Sequence, residues 1–400
     1  MQLFLLFVIW RIADFFIAFA TQSLRLANSR FSFGFQPRLE DHLIPQLIVA
    51  FANFDGVHYL HIAHDGYQQY EETFFPLYPF IIHLLAPLFG NSYLLTGIFI
   101  TNLCFLGGLY FFKKYLEILG KKPQTILWIM LFLIFFPMSF FFGAVYTEGL
   151  FFLLVTSTLY FAQKKRYIPL IIVGILAAIT RLMGIFLFIP VLAILLGEKE
   201  KFSLKQKNWK AKIRALFNYI NKNKKLVFLS LTPLLGLFVY MGYLHSTTGD
   251  YLAFYHSQNA FNNGRTADHL ILLPQVYYRY LKILFTASHD VTYFVAVVEF
   301  TIFTLFLIVL LYDLWKVWKQ KYSPEKINLL GLNLFSLINL ILPTFTGTLT
   351  STPRYVLLSL SFFLRIAEIK NIFVKIVLLC LFGILHIILL SLFIQGYFVG

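Results

Sequence analysis

The sequence predicts an all-α, polytopic membrane protein, and three observations carry that prediction. Of the 400 residues, 59% are hydrophobic and only 13% charged, about half the roughly 25% charged residues of a soluble domain. The mean hydropathy is +0.75, and the apolar residues gather into runs, several of them long enough to cross a bilayer. The basic residues then fall in alternate connections between those runs. With the N-terminus inside, 24 of the 33 Lys and Arg lie in inner connections and 8 in outer ones, with Arg11 inside the first run. The net charge of +15 therefore records topology and speaks against a nucleic-acid partner. Cys104 and Cys380 both lie in apolar runs, which argues against a disulfide framework or a zinc site.

Eleven spans are expected, near 2–20, 93–112, 125–143, 149–163, 168–180, 183–197, 226–244, 293–315, 327–345, 355–367 and 372–394, together forming a single membrane domain over 1–400. The first resembles a signal peptide at Ala18-Phe19-Ala20. It lacks a basic leading segment and carries Arg11 and Asp14, so an uncleaved helix is expected. The first outer loop, 21–92, is divided by Pro76, Pro79 and Pro87 into short pieces, expected as helices lying in the membrane interface. The runs 168–180 and 183–197 read as a short hairpin with Arg181 at its outer tip, because one long helix would put the basic loop 198–225 on the wrong side. That loop suits the anionic inner leaflet. A second outer loop spans 245–292.

The stretch 53–79 stands out against this background. Asp55, His58, His61, His64, Asp65, Glu71 and Glu72 crowd together where charge near hydrocarbon is expensive and tends to mark function. On a helix, Asp55, His58 and Tyr59 share one face at i, i+3 and i+4, and His61 and Asp65 share another. Glu148 occupies a tight outer turn, and Arg181 and Arg354 sit at outer ends of later helices. Asp250 and Arg265 lie in the second outer loop. Carboxylates and guanidiniums around one membrane-facing cavity suit the transfer of a sugar from a lipid phosphate. A carboxylate takes the proton from the attacking hydroxyl, and the cations hold the departing phosphate. Plainer roles exist too: Asp55 as an ordinary interfacial carboxylate or helix cap, Asp65 as a turn residue before Gly66, Glu148 as a helix cap, Arg181 as a partner for Glu148, Asp250 and Arg265 as solvated loop charges. The spacing of three between the histidines invites a metal, although interfacial imidazoles commonly bond water or headgroups.

Phe54-Asp55-Gly56, His58-Tyr59-Leu60, Ile62-Ala63, Gly66-Tyr67 and Phe74-Phe75-Pro76-Leu77-Tyr78-Pro79 resemble the signature of the GPI mannosyltransferase II family (phosphatidylinositol-glycan class V, PIG-V) and its prokaryotic relatives. Tyr146-Thr147-Glu148-Gly149-Leu150-Phe151, Thr180-Arg181-Leu182-Met183-Gly184, Gly249-Asp250-Tyr251-Leu252-Ala253-Phe254 with Gln258 and Arg265, and Pro353-Arg354-Tyr355 follow in the family's order. The resemblance implies a GT-C glycosyltransferase fold, a polyprenyl- or dolichyl-phosphate mannose donor, and a glycolipid or glycan acceptor on the extracytoplasmic face. It maps the catalytic base onto Asp55. It leaves His58, Asp65, Glu148, Arg181, Asp250, Arg265 and Arg354 as substrate-binding candidates, and it requires neither a metal nor another cofactor. Phe54 departs from the family's usual Trp, and Tyr251 from its usual Pro. A lipid or sugar transporter using the 168–197 hairpin as a broken-helix site, and a non-catalytic relative, are the alternatives. No Asn-X-Ser/Thr sequon occurs, which fits a prokaryotic plasma membrane; the endoplasmic reticulum is the eukaryotic counterpart.

Overall fold

The computed structural model describes residues 2–23, 44–197, 221–261, 270–320 and 323–400, without the side chains of residues 259 and 261, and these are helical with no strand among them. In chain order the helices are α1 (Gln2–Ser23), α2 (Gln46–Val49), α3 (Asp55–Asp65), α4 (Leu77–Leu85), α5 (Tyr93–Ile118) and α6 (Pro123–Ile134). There follow α7 (Glu148–Gln163), α8 (Tyr167–Thr180), α9 (Phe188–Gly197), α10 (Lys224–Ser230), α11 (Pro233–Thr248) and α12 (Ala253–His256). The described chain ends with α13 (Leu273–Thr286), α14 (Val291–Lys319), α15 (Pro324–Ile341), α16 (Thr352–Tyr355), α17 (Leu360–Ala367) and α18 (Ile372–Ile394).

Five of these are long and apolar enough to cross a membrane: α1, α5, α14, α15 with its extension to Thr346, and α18. The pair α10–α11, bent by 48°, makes a sixth if taken as one span. The chain is thus a multi-pass membrane protein. Other predicted spans are shorter or interrupted. The run 125–143 is helical only to Ile134, because Phe136-Pro137 cannot continue a helix. It then passes through a 3-10 turn at Ser139–Phe142. The run 355–367 becomes regular only at Leu360, after a 3-10 turn at Val356–Leu358. Between α8 and α9 the chain reverses at Arg181, which is extended (φ −155°, ψ 145°). The reversal is tight: a Cβ on Gly184 would lie 2.3 Å from the Ala177 carbonyl.

Side-chain contacts fix the relative directions of the packed helices. α1 and α18 are parallel, with Asp14 bonded to His386 and Thr21 to Ser391. α5 and α7 are parallel, with Gly149 against Thr101 and Thr156 against Gly108. α9 and α15 are antiparallel, with Gly197 on Ile327 and Gly331 on Ala193. The connections predicted on the inner side also meet: Lys121 lies 3.1 Å from Glu368 and 3.9 Å from Glu325.

The unwound stretch after α6 lies deep in the bundle, where backbone carbonyls freed from a helix must find new donors. Ser139 donates to the Ile134 carbonyl at 2.5 Å, and His386 lies 3.2 Å from that of Phe136. Arg11 donates to the Gly143 carbonyl at 2.9 Å. Arg11 is itself 3.6 Å from Asp14, which bonds His386 at 2.8 Å. The charges inside α1 thus hold an irregular segment in place.

Candidate functional site

That irregular segment ends at Glu148, the first residue of α7, and α3 is pinned against it. Tyr146 donates its hydroxyl to the Asn53 carbonyl at 2.8 Å, and the Val145 amide donates to Phe51 at 2.9 Å. A Cβ on Gly56 would come within 3.2 Å of the Val145 carbonyl, so the start of α3 and this turn are in close contact. Phe54, just before Asp55, has φ 59° and ψ −116°, a strained backbone for a bulky residue. Its ring is wedged at 5.8 Å from Phe393 and 5.3 Å from Phe398, which fixes the angle at which α3 begins. Gly149 is equally constrained, because a Cβ there would meet the Thr101 carbonyl at 2.4 Å.

At this junction four charged side chains from four distant segments meet. Arg354 donates through Nη1 to Asp55 Oδ2 at 2.7 Å, and its Nε lies 3.4 Å from Glu148 Oε1. Arg181 donates through Nη1 to the same Glu148 oxygen at 2.5 Å and to Thr147 Oγ1 at 3.3 Å. The Tyr355 ring lies 5.3 Å from each guanidinium, a cation–π contact with both. Two carboxylates thus balance two arginines. The side chains of Asp55 and Arg181 are 26% and 17% exposed, whereas those of Arg354 and Glu148 are 6% and 1% exposed, so the cluster opens over Asp55 and Arg181. Two buried polar atoms, Glu148 Oε2 and Arg354 Nε, have no hydrogen-bond partner among the described residues. Tyr59 lies one turn into α3, with its ring 6.5 Å from that of Tyr146. Burial first, then the negative charge of Asp55, pushes the Tyr59 phenol well up, so it stays protonated.

The remaining predicted residues go elsewhere. His58 is drawn to Glu71, at 2.9 Å, and its ring stacks on Phe74 at 4.8 Å. His61 bonds the other Glu71 oxygen at 3.0 Å, as does the Gln68 amide. Burial alone would raise the Glu71 carboxyl, but these donors outweigh it and hold it below its ordinary value. Asp65 pairs with His64 at 2.5 Å and lies 3.5 Å from His61. Asp250 closes its own turn, accepting from the Leu252 amide at 2.8 Å and from His256 at 2.6 Å; these bonds hold its carboxyl low. Arg265 lies outside the described residues. Among the described residues no group of three or more His, Cys, Asp and Glu is arranged to hold a metal ion.

Several contributors have no role in the sequence reading. Glu72 ties the segment after α3 to α11 and to the segment after α12: its carbonyl accepts from Tyr240 at 2.6 Å and its carboxylate from Ser257 at 3.0 Å. Glu299, buried in α14, accepts from Tyr280 at 2.6 Å and from the Ser351 amide at 3.3 Å. The signal for Glu299 was present, a lone carboxylate in the apolar run Val295–Phe303.

A model of the mannosyltransferase (PIG-V) family matches residues 1–248, a stretch that contains Asp55, Glu148 and Arg181. No curated protein and no solved structure matches the chain.

Proposed function

The chain belongs to the mannosyltransferase (PIG-V) family, and from that premise we propose that it moves mannose from a polyprenyl- or dolichyl-phosphate donor to a hydroxyl of a glycolipid or glycan acceptor. The reaction takes place at the extracytoplasmic face on a GT-C-type scaffold, with Asp55 as general base. The observation that supports this most is the convergence of Asp55, Glu148, Arg181 and Arg354 in one partly open cluster. A lone buried ion pair needs no opening, whereas a transferase needs a carboxylate that an acceptor can reach.

In this reading the acceptor hydroxyl loses its proton to Asp55 as its oxygen attacks the anomeric carbon. The bond from that carbon to the phosphate oxygen breaks, the electron pair leaves with the phosphate, and the anomeric configuration inverts. Arg354 and Arg181 receive the growing phosphate charge through guanidinium donors already oriented by Glu148 and Tyr355. A phosphate arriving at Arg354 competes with Asp55 for the same Nη1 donor, which frees the carboxylate to act as base. The base, the nucleophile and the leaving group complete the scheme without a cofactor.

The test uses purified protein in nanodiscs, a polyprenyl-phosphate mannose and a membrane glycolipid extract, read by mass spectrometry. An acceptor gaining one hexose, with loss of that product in Asp55→Asn, is the expected result. Near wild-type transfer by Asp55→Asn would overturn the base. Movement of labelled donor across proteoliposomes without chemical change would favour a transporter.

A further inference from the structure

The loop that carries Arg354 has almost no helix of its own to hold it. Between the end of α15 and α16 it contains Gly347 at φ 95° and Ser351 at φ 67°, the latter a left-handed backbone on a residue with a Cβ. Such a turn persists where its surroundings over-determine it, and here alternate backbone groups are gripped in sequence. The Phe345 carbonyl accepts from the Ile271 amide at 3.0 Å, and the Gly347 carbonyl from Arg279 at 2.9 Å. The Leu349 amide donates to the Tyr280 hydroxyl at 3.1 Å, and the Ser351 amide to Glu299 at 3.3 Å. The last two grips are one device, because Tyr280 itself donates to Glu299 at 2.6 Å. The Ser351 carbonyl in turn receives the Arg354 amide at 3.1 Å, which sets where the guanidinium starts.

A carboxylate that is 4% exposed, about two turns into a membrane-length helix, is costly to bury. Its position is explained if its work is to order the arginine loop. We infer that Glu299, together with Tyr280, is a positioning residue: it fixes the 347–354 loop so that Arg354 faces Asp55 and Glu148. The functional half of this inference rests on the proposed role of Arg354 at the donor phosphate. The structural half does not.

Two readouts separate them. Hydrogen exchange of the peptide covering 347–355, in the full-length protein in nanodiscs, should rise in Glu299→Ala and in the milder Tyr280→Phe. Peptides around Asp313 and Arg365 should be unchanged. Affinity for a short-chain polyprenyl phosphate should fall about tenfold in Glu299→Ala, the loss of about one charge-assisted hydrogen bond. Glu299→Gln, which keeps an acceptor oxygen, should recover part of it. In an Arg354→Ala background, Glu299→Ala should cause no further loss. Unchanged exchange at 347–355 in both single variants would overturn the inference, as would an additive loss in the double variant. If Arg354→Ala binds the polyprenyl phosphate as the wild type does while exchange still responds, the phosphate role of Arg354 fails and the positioning role stands.

Discussion

Two of the buried carboxylate–arginine clusters among the described residues lie at opposite ends of the helices, and they are built differently. At the end predicted to face inward Asp313 accepts from Arg365 through Nε at 2.6 Å and through Nη2. Its other oxygen accepts from Ser361 at 2.8 Å and Asn333 at 3.0 Å. The remaining Arg365 nitrogen donates to Glu368 at 2.6 Å. Every charged group there is engaged. At the other end Glu148 Oε2 and Arg354 Nε are left without hydrogen bonds, and Asp55 is partly open. Leaving a buried charged atom unsatisfied costs about 1–3 kcal/mol or more, a cost that the buried Arg11–Asp14 pair of α1 also carries at Arg11 Nε, Arg11 Nη1 and Asp14 Oδ2. What distinguishes a site from a clamp is therefore the opening: the Asp55 side chain is 26% exposed and that of Asp313 only 5%.

Variants can break or sharpen this contrast. The largest effect is expected at Asp55: Asn there should lower turnover about 10²–10⁴-fold, the range for removing a general base. Its thermal midpoint in detergent should hardly move. Asp313→Ala should show the reverse, a loss of about 3–5 kcal/mol of stability from an orphaned buried arginine, read by thermal unfolding monitored with a fluorescent thiol probe. If the two variants behave alike, the contrast is wrong. Arg181→Lys should raise the donor KM roughly 30-fold, about 2 kcal/mol, because an ammonium cannot keep the Nη1 contacts with Glu148 and Thr147 and also offer the guanidinium's other N–H donors to a phosphate. Steady-state kinetics at saturating acceptor would measure it, and an unchanged KM would remove Arg181 from the phosphate site.

The smallest effect concerns Glu71. Its folded carboxyl is depressed, so the stability it contributes is fully present above the ordinary value of 4.5 and is lost as pH falls through the folded value. Limited proteolysis of the 55–75 segment should therefore accelerate below about pH 4.5 in the wild type. Glu71→Gln should flatten that acid dependence without altering the inner cluster. Equal acid sensitivity in both proteins would show that another group is responsible.

Much of the site was legible because Asp55, Glu148, Arg181 and Arg354 are charges in apolar surroundings, where few residues compete to explain them. Their motifs also lie at helix ends, which the hydropathy pattern locates well. His58 was not legible in the same way. On a helical wheel it accompanies Asp55, but its partner Glu71 arrives from a 3-10 turn beyond α3, and no periodicity reports that return. The break after α6 was written in Phe136-Pro137, yet the apolar run around it hides the interruption from any hydropathy window. Glu299 was visible as an anomaly, but its partner Ser351 is 52 residues away in a loop whose course depends on Tyr280.

The pairing of α1 with α18 bears on how this chain is made. Asp14 meets His386 across 372 residues, so during synthesis the charges of α1 enter the membrane long before that partner exists. Until α18 arrives, Asp14 has Arg11 but not His386, and the Phe136 carbonyl lacks His386 as a neighbour. The arrival of α18 therefore supplies the contacts that tie α1 to the stretch leading to Glu148. A protein stalled before α18 would present an incompletely compensated α1 to the lipid, a state that membrane quality control can recognise as unfinished.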